Sequence, residues 1–564
     1  MKGCITEKIK SKWIPAPSTV LRTGSAGMTG KAGMNDYREI IANAQPGQIV
    51  PIVKEMDIDE PVDFFAKLSD YGRAKNCALF EASDYLAENA LSFGTARPGL
   101  YITGTGADFK IAALSSTGRR MIEYLSGKRE KIFGFCKTVE FGPDTIIGRI
   151  KQGETVIDEQ SRLQSTNQMD VLRAVAFSFS LASKPFRVTC GLLGALSYDF
   201  IDQFEKLPAS GDDLLGNPDY ELYFADNIFL CDHKQNKGYV IVNCVITDGD
   251  RETAIAEAQD CFKYYFDIAK TKAPKGRKYT GPLATASTDT DRQEYEKMVR
   301  DAKCHIVDGD IFQVVLSRTK IEPCPDEPLD VYKRLRKLNP SPYMFYLNTP
   351  RTILMGSSPE LNLRVSGGEK RDVEIRPIAG TKPRGRVGDK IDADTDFRYE
   401  AELKLDHKEL AEHIMLVDLA RNDIARVAEP GSRVVTELLT AEKYSAVQHL
   451  VSNVKGTLAK GLDALSAYLA TMNMGTLTGA PKIEAMKIIR QLESTKRGYY
   501  GGAVCYLTVD GQFDSCITIR SLQVKDHTAY IRAGAGIVYD SVPKTEFEET
   551  EHKANSCLRA IRGE

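Results

Sequence analysis

The sequence predicts an α+β protein built on antiparallel β-sheet. Residues 501–540 form alternating apolar and polar runs that break at Asp510-Gly511 and again near Asp526, so strands follow one another through tight turns. Segments with helical periodicity flank them on both sides. No G-x-G-x-x-G motif follows a predicted strand, which argues against a doubly wound nucleotide-binding fold. Consecutive hairpins therefore favour antiparallel sheets accompanied by helices.

Length and composition bound the architecture and the class of partner. The chain has 564 residues and is 42% hydrophobic, so two large domains or one large composite unit is expected. The net charge is −2 with acids and bases interspersed, and no apolar run is long enough to span a membrane, so we predict neither a nucleic-acid nor a membrane partner. The 12 cysteines form no CxxC pair and no zinc spacing, which indicates reduced thiols in a cytoplasmic protein.

Four segments follow one another along the chain. Residues 1–35 are basic and rich in small side chains, and we expect a disordered extension, with an organellar transit peptide as the alternative. Residues 36–275 mix helices with strands such as those over 47–56 and 238–246. Residues 276–292 are rich in Lys, Gly, Pro, Ser and Thr and are typical of a linker. Residues 293–562 form a second domain, which opens with a helix and the strand IFQVVLSRTKI.

Two glutamate pairs with the same spacing lie on two predicted helices of the second domain. The pairs are Glu409/Glu412 and Glu546/Glu549. Carboxylates on two rigid helices can converge on one hard cation such as Mg²⁺, which offsets their mutual repulsion. The alternative is that Glu409 completes a capping box with Asp406 and that the other acids are solvated. Two such pairs beside basic and glycine-rich motifs favour the metal site.

Helical periodicity predicts which side of each helix faces the core. At about 100° per residue the glutamates fall on a polar arc, opposite an apolar one. The predicted apolar arcs are Leu410, Ile414, Val417 and Ile424 on the first helix, and Phe547, Ala554, Leu558 and Ile561 on the second.

Further motifs suit a small polyanion. Gly380 and Thr381 are predicted to form a turn whose N–H groups and hydroxyl contact a carboxylate. Gly534 and Gly536 mark a close approach of backbone to a ligand, because a side chain there would intervene. Arg520 is predicted to alternate with its neighbours along a strand and to bind a carboxylate bidentately. Together with Tyr500, which precedes these strands, the motifs describe a site for a dicarboxylate.

Long motifs between about Ile311 and Ile561 resemble the chorismate-utilising enzymes. They include DHKELAEHIMLVDLARND, VQHLVSNVKG, MNMGTLTGAPK and RGYYGGAV, and among these enzymes the closest similarity is to the large subunits of anthranilate synthase. The resemblance extends more weakly into the first half of the chain. It implies antiparallel sheets packed as a sandwich with flanking helices, a regulatory or structural domain over 36–275, and a chorismate-binding catalytic domain over 293–562.

The resemblance also implies roles for individual residues. Glu412 and Glu549 are expected to ligate Mg²⁺, with Glu409 and Glu546 in support. His449 is expected to act as general acid or base beside Thr476 and Gln313, although a packed histidine is the simpler interpretation without the family. The residues expected to bind the two carboxylates of chorismate, and to balance the acids, are Gly380, Thr381, Tyr500, Arg520, Gly534, Ala535, Gly536 and Lys553.

The implied reaction is Mg²⁺-dependent amination of chorismate at carbon 2, followed by loss of pyruvate to give anthranilate. Isochorismate synthases carry a lysine base where this chain has Gln313, which cannot deprotonate water. Aminodeoxychorismate synthases carry a lysine in place of Ala379, so direct attack by ammonia is favoured here. The alternatives are a 2-amino-2-deoxyisochorismate synthase, an aminodeoxychorismate synthase, or a catalytically silent subunit that binds chorismate or an amino acid and regulates a partner.

Ammonia supply and regulation are expected to involve other molecules. No cysteine lies in a glutaminase-type nucleophile elbow, so the resemblance implies a separate glutamine amidotransferase subunit and a hetero-oligomer. It also implies a tryptophan effector site built from Glu81, Ala82, Pro342, Tyr343 and Met344. The family has a serine where this chain has Ala82, and Ser83 lies one place on. Loss of one hydrogen bond costs on the order of 1 kcal/mol, so we predict weak tryptophan binding.

Overall fold

The computed structural model describes residues 34–82, 90–151, 163, 165–247, 251–388, 390–443 and 447–564. A 3₁₀ helix covers Tyr198–Gln203. The α-helices are α1 Met34–Asn43, α2 Pro61–Leu68, α3 Ser116–Gly127, α4 Arg129–Ile132, α5 Met169–Ala176, α6 Arg251–Ala269, α7 Arg292–Val307, α8 Pro328–Leu338, α9 Ala393–Leu405, α10 His407–Ala425, α11 Ala464–Thr471, α12 Gly475–Thr478, α13 Lys482–Leu492 and α14 Pro543–Arg562.

The strands are β1 Gln48–Met56, β2 Cys77–Glu81, β3 Leu91–Thr95, β4 Leu100–Thr105, β5 Asp108–Ala113, β6 Cys136–Phe141, β7 Thr145–Ile150, β8 Ser180–Leu181, β9 Gly191–Leu196, β10 Tyr220–Ala225, β11 Asn227–Asp232, β12 Lys237–Val245, β13 Ser287–Thr288, β14 Gln313–Pro323, β15 Tyr343–Asn348, β16 Ile353–Ser358, β17 Leu361–Val365, β18 Asp372–Ile375, β19 Ile378–Pro383, β20 Arg386–Val387, β21 Lys390–Ile391, β22 Val434–Lys443, β23 Val447–Thr457, β24 Gly479–Ala480, β25 Ala503–Thr508, β26 Phe513–Ile517, β27 Ser521–Lys525 and β28 Thr528–Ile537.

Two large sheets form the centre of the described structure. The first runs β13-β14-β28-β27-β16-β15-β2-β3-β11-β12-β1-β8, with β24 also on β14. The second runs β19-β23-β18-β17-β26-β25-β9-β10-β4-β5-β7-β6, with β22 also on β23. Described neighbours pair antiparallel, apart from the two-residue parallel contact of β8 with β1. The predicted α+β class with antiparallel sheets is confirmed.

Apolar side chains fill the space between the sheets and beneath the helices. One cluster joins Ala78 and Phe345 of the first sheet to Ala195 and Val504 of the second, so the two sheets pack face to face as a sandwich. A second cluster packs the first sheet against α2, α6, α8 and α14. A third packs the second sheet against α3, α5, α10 and α11. Central strands such as β9 and β10 bury every residue, because one of their faces packs on the other sheet and the opposite face packs under helices.

Both sheets contain strands from each half of the chain. In the first sheet β2 pairs with β15, placing Glu81 opposite Met344, and in the second sheet β9 pairs with β25. Within the predicted linker, Ser287 and Thr288 form β13 and pair with β14. The division into two domains at residues 276–292 stays a prediction. Residues 1–33, which include most of the predicted extension, lie outside the described residues.

The predicted hairpins are present, but the chain passes from one sheet to the other between them. β25 and β26 are joined through Gly511, and β27 and β28 through Asp526, as expected. Between β26 and β27 the chain leaves the second sheet and enters the first. Residues 518–520 make this passage outside any strand, and Arg520 has a φ of 49°. The prediction that Arg520 alternates along a strand is therefore wrong. No helix among the described residues is both long and apolar enough to cross a bilayer.

Candidate active site

The two acidic helices are α10 and α14. Asp406 caps α10, because its carboxylate accepts hydrogen bonds from the backbone N–H groups of Lys408 and Glu409. α14 begins with Pro543, whose fixed φ suits the first helical position, and ends at Gly563 in the left-handed region. Both helices are thus set by local sequence signals at their ends. A capping box between Glu409 and Asp406 is not seen, since the described bonds run from backbone to Asp406.

The buried faces agree only partly with the predicted arcs on both helices. Ala554, Leu558 and Ile561 of α14 are buried as expected, but Phe547 is only partly buried and Glu546, predicted on the polar arc, is 5% exposed. On α10, Val417 and Ile424 are buried, but Ile414 is 46% exposed, so its predicted place in the core is wrong. The buried stripe instead includes His413, whose ring is held by two hydrogen bonds under the helix. The buried face of α10 is therefore turned from the one that apolar periodicity alone predicted.

The two helices bring Glu412 and Glu549 together. Burial raises the pKa of Glu412, and the Glu549 carboxylate raises it further, while the Lys553 ammonium lowers it. Lys553 lies between them: its Nζ is 2.6 Å from Oε1 of Glu549 and donates to the carbonyl of Gly534 at 3.1 Å. Gln313 donates to Glu412 from 3.4 Å. Glu412, Glu549 and Lys553 therefore lie within electrostatic reach of one another, and the metal site stays a prediction.

The outer glutamates belong to the same electrostatic cluster. Burial and the nearby Glu412 raise the pKa of Glu409, and burial and Glu549 raise that of Glu546. Among the described residues no three His, Cys, Asp or Glu side chains are arranged as a ready metal cage. Mg²⁺ does not require one, because it commonly keeps several waters and binds one or two carboxylates plus substrate oxygens. Glu412 and Glu549 fit that donor set.

Two glycines of β28 form a side-chain-free floor next to these carboxylates. A Cβ added at Gly534 would lie 3.1 Å from the Tyr500 hydroxyl, and one added at Gly536 would lie 2.7 Å from Nε2 of Gln313. Both glycines pair with β14, where Ser317 lies opposite Gly534. Ala535 points to the other face and is buried in the core. The predicted close approach of backbone to site is thus consistent with the structure at both glycines.

Arg520 and Tyr500 lie at the end of the floor away from Glu412. Burial raises the pKa of Tyr500 to about 12, so its hydroxyl keeps its proton. Arg520 is within electrostatic reach of Tyr500, Glu549 and His449, and its Nη1 is 3.4 Å from the carbonyl of Lys553. Its left-handed backbone at the passage between sheets aims the side chain into this region. The planar guanidinium suits a carboxylate there.

Gly380 and Thr381 lie in strand β19, so the predicted turn is wrong. Gly380 forms a bulge opposite β23 with a φ of 82°, a conformation that glycine adopts without strain. The bulge places Thr381 opposite His449, and Oγ1 of Thr381 lies 2.8 Å from Nδ1 of the histidine. The carbonyl of Gly380 lies 3.3 Å from the same nitrogen. A strand bulge, rather than a turn, presents this segment to the site.

His449 is neutral at neutral pH. Burial lowers the pKa of its ring, and the charge of Arg520 lowers it further, while the Gly380 carbonyl acts in the opposite sense. With the proton on Nδ1 the ring donates to the Gly380 carbonyl or the Thr381 hydroxyl, and with the proton on Nε2 the Thr381 hydroxyl donates to Nδ1. In either tautomer the neutral ring keeps one nitrogen lone pair and is able to accept a proton.

Glu360 is a site residue that sequence reasoning missed. It lies between β16 and β17, is 6% exposed, and has a carboxyl oxygen, Oε1, without a hydrogen-bond partner. Burial raises its pKa to about 8, and the neighbouring Thr476 hydroxyl and Lys553 ammonium offset part of that increase. It is therefore a protonated acid at neutral pH. A single acid in SSPELNL carries no periodic signal, so only its burial identifies it.

Other polar atoms of the site are also buried without partners. Besides Oε1 of Glu360, they include Oε1 of Gln313. Buried polar groups in folded proteins are nearly always satisfied, and each exception needs an explanation. A polar ligand that completes these bonds supplies one here.

The predicted effector residues line one cavity between the two sheets. The cavity has a volume of about 940 Å³ and is bordered by Glu81, Ala82, Pro342, Tyr343 and Met344. The carboxylate of Glu81 accepts a 2.6 Å hydrogen bond from Tyr332 and lies 3.3 Å from Arg336, both on α8. Ser83 lies outside the described residues. Both predicted segments, 81–82 and 342–344, thus border the same cavity. The Glu81 carboxylate already has Tyr332 and Arg336 of α8 as partners.

Comparisons with known proteins agree with this geometry. Residues 127–559 match the family described as chorismate binding enzyme. Anthranilate synthase component 1 of Vibrio parahaemolyticus is 42% identical over 455 residues, covering 80% of this chain and 81% of that protein. The Escherichia coli protein of the same name is 38% identical and covers 89% and 95%.

A solved structure extends the likeness to the fold. The crystal structure of anthranilate synthase component I from Streptococcus pneumoniae superposes with a TM-score of 0.65 at 29% identity, covering 83% of this chain and 92% of that one. Sequence and structure thus match along most of both chains. The chain belongs to the chorismate-binding enzymes, and within them to the family of anthranilate synthase component 1.

Proposed function

We propose that the protein is the large subunit of an anthranilate synthase, a lyase that aminates chorismate with ammonia and releases pyruvate and anthranilate. The observation that carries this proposal is the placement of Gln313 beside Glu412, 3.4 Å apart, at the position where isochorismate synthases are expected to carry a lysine base. An amide cannot deprotonate water, whereas ammonia is itself a nucleophile. Ala379 likewise offers no amine for covalent attack.

The proposed substrate lies along the glycine floor. Its ring carboxylate is held at the end near Glu412 and Glu549, against the Gly380–Thr381 bulge. Its enolpyruvyl carboxylate lies at the other end, where Arg520 and the protonated Tyr500 donate to it. Gly534 and Gly536 allow the ring to approach the backbone. The enolpyruvyl carboxylate thus meets a cation and a hydroxyl donor, whereas the ring carboxylate needs a cation between it and the glutamates.

Mg²⁺ is the proposed cofactor. Glu412 and Glu549 would hold it, with Glu409 and Glu546 in support, and Lys553 would move aside from the position that it takes between the carboxylates. A magnesium ion held there would supply positive charge near the ring carboxylate, and that charge would favour nucleophilic addition to the diene. The carboxylates are close enough to repel one another, and a divalent cation relieves that repulsion.

Two residues of the chain are suited to the proton transfers. As ammonia adds at carbon 2, the 4-hydroxyl leaves as water, and the neutral carboxyl of Glu360 is the proposed donor of its proton. In the second step, carbon 2 loses its proton, the bond from the ring to the enolpyruvyl oxygen breaks, and the enolate of pyruvate leaves and takes up a proton at its methylene carbon to give pyruvate. His449, as a neutral imidazole, is the proposed acceptor. The base role is one of the two roles expected for His449 from the resemblance.

The direct test is product formation by the purified protein. Chorismate, Mg²⁺ and an ammonium salt at alkaline pH are expected to give anthranilate, followed by its fluorescence, with one pyruvate per anthranilate. Accumulation of 2-amino-2-deoxyisochorismate without pyruvate would show that the enzyme stops at the first step. Unconsumed chorismate would contradict the enzymatic function and support a silent binding subunit.

A separate glutamine amidotransferase subunit is the proposed source of ammonia in the cell. The name component 1 of the relatives fits a partner, and we propose a hetero-oligomer acting in the cytoplasm. The cysteines of the described residues are all free thiols, as a reducing compartment would leave them. Glutamine-dependent activity that appears only when the partner is added would support this assignment.

Arg520→Lys is expected to lower kcat/KM for chorismate by about 10- to 100-fold, because an ammonium cannot reproduce the bidentate, planar contact with a carboxylate. Steady-state kinetics at saturating Mg²⁺ provide the measurement. Arg559→Lys, on an exposed part of α14, is the matched control and should behave like the parent. Unchanged kinetics in Arg520→Lys would assign this residue a structural role.

Tryptophan is the proposed occupant of the cavity between the sheets. Pro342, Tyr343 and Met344 supply an apolar and aromatic wall for an indole. Tyr343 is itself fixed, since its hydroxyl donates to Asp514 and accepts from Arg364, both at 3.0 Å. Ala82 provides no hydroxyl, and the Glu81 carboxylate already binds α8. Both features predict a site that accepts tryptophan weakly.

Ala82→Ser is expected to strengthen inhibition by tryptophan roughly five- to tenfold, the effect of one added hydrogen bond of about 1 kcal/mol. The measurement is a tryptophan titration of ammonia-dependent activity in parent and variant. Ala82→Gly, which adds no hydroxyl, is the control. Strong inhibition of the parent, or no difference between Ala82→Ser and Ala82→Gly, would contradict the role of the missing hydroxyl.

A further inference from the structure

His413 is a fully buried histidine next to the metal-binding position. It follows Glu412 on α10, so its side chain is turned by about 100° around the helix axis from the carboxylate. Nδ1 lies 3.2 Å from the carbonyl oxygen of Ala379 in β19, and Nε2 lies 2.7 Å from Oγ of Ser452 in β23. Its ring therefore joins α10 to both strands that carry the Gly380 bulge and His449.

One arrangement of protons satisfies every partner of the neutral ring. The carbonyl of Ala379 can only accept, so Nδ1 must carry the hydrogen and Nε2 must accept. The hydroxyl of Ser452 then donates to Nε2, and its oxygen accepts the backbone N–H of Leu439 in β22 at 3.0 Å. A fully satisfied buried network of this kind is rigid, because any movement leaves a buried polar group without a partner.

The network lies between α10, which carries Glu412, and β19, which carries Thr381, and the distance between these two residues matters for the site. Ala379 precedes Gly380, and a Cβ on Gly380 would already lie 3.2 Å from Oε2 of Glu409 on α10. A sliding movement of α10 along β19 would shift Glu412 relative to Thr381. Both are proposed to meet the same ring carboxylate, so even a small shift would spoil one contact or the other.

We propose that His413 is a positioning residue that sets the distance between the Glu412 carboxylate and the Gly380–Thr381 segment. The inference rests on the proposed function for its catalytic consequence, but the tie between helix and strand is a property of the fold. His413 itself does not touch the substrate. Its effect is on how well the segment and the carboxylate are held together.

The test compares His413→Leu with His413→Asn. The asparagine amide nitrogen can take the place of Nδ1 and donate to Ala379, whereas leucine fills the space without any hydrogen bond. His413→Leu is expected to raise both the KM for chorismate and the half-saturating Mg²⁺ concentration at least tenfold, the usual order for loss of a group that orients a metal ligand. His413→Asn is expected to recover most of that loss.

Hydrogen–deuterium exchange supplies a measurement that needs no activity. Backbone amides of residues 378–383 should exchange faster in His413→Leu than in the parent, and at nearly the parental rate in His413→Asn. Ser452→Ala, which removes only the partner of Nε2, should have an intermediate effect and serves if His413→Leu fails to fold. Thermal unfolding of each variant identifies a general loss of stability.

Equal kinetics and equal exchange in the leucine and asparagine variants would overturn the inference, as would a lowered melting temperature with unchanged KM and Mg²⁺ dependence. Failure of the proposed function is distinguishable from these results. In that case the parent protein would make no anthranilate, while the exchange rates of residues 378–383 would still report whether His413 holds the segment.

Discussion

Glu549→Gln is expected to reduce anthranilate formation by more than about 100-fold while the protein stays folded. The amide is nearly isosteric but is a poor ligand for Mg²⁺, and its neutral charge weakens rather than adds to the repulsion among the carboxylates of α10 and α14. Activity measured over a range of Mg²⁺ concentrations, together with a thermal unfolding curve, tests both halves of this prediction.

Glu548→Gln is the matched control for that substitution. Glu548 is the preceding residue of α14 and is exposed, with its carboxylate 3.9 Å from Lys544. Glu548→Gln removes the same charge, but Glu548 does not face α10. Near-parental activity is therefore expected. Near-normal turnover of Glu549→Gln at limiting Mg²⁺ would refute the assignment of Glu549 as a metal ligand.

Glu360→Gln is expected to lower kcat by about 10²- to 10⁴-fold, the usual contribution of a general acid. Glutamine resembles the neutral carboxyl that is present at neutral pH, so the fold and the KM for chorismate should change little. The measured quantities are kcat and KM for chorismate at saturating Mg²⁺. A parental rate in Glu360→Gln would remove Glu360 from the proton transfer.

The pH profile gives an independent check of the same residue. The pKa of Glu360 is raised to about 8 by burial, so the required proton is present below that pH and is lost as the pH rises through it. The rate of the parent, expressed per concentration of free NH₃, should therefore decline above about pH 8. The decline should be absent from the residual activity of Glu360→Gln. A decline that persists in the variant must come from another group.

The sequence by itself determined the class of the fold and one half of the site. Alternation of side chains and the Asp510-Gly511 turn predict antiparallel strands, because a strand that buries residues must alternate and a tight turn needs a residue that tolerates positive φ. The spacing of the glutamate pairs placed Glu412 and Glu549 on two helices. These patterns are local, so each can be recognised from a short segment of the sequence alone.

Several positions were decided only by contacts distant in sequence. Arg520 reaches the site because the chain changes sheets before β27, and Gly380 because a bulge interrupts β19 opposite β23. Ile414 is exposed, while the adjacent His413 is buried against its partners in β19 and β23. Each depends on which strand becomes a neighbour of which, and no single segment encodes that choice.

Glu360 shows most clearly the difference between what the sequence determines and what the tertiary structure determines. In the sequence it is one acid among 77 Asp and Glu residues. Its pKa of about 8, and with it the capacity to donate a proton at neutral pH, arises from burial between β16, β17, α12 and α14. Residue type determined which group is available, whereas the tertiary structure determined its protonation state, because desolvation depends on everything that packs around it.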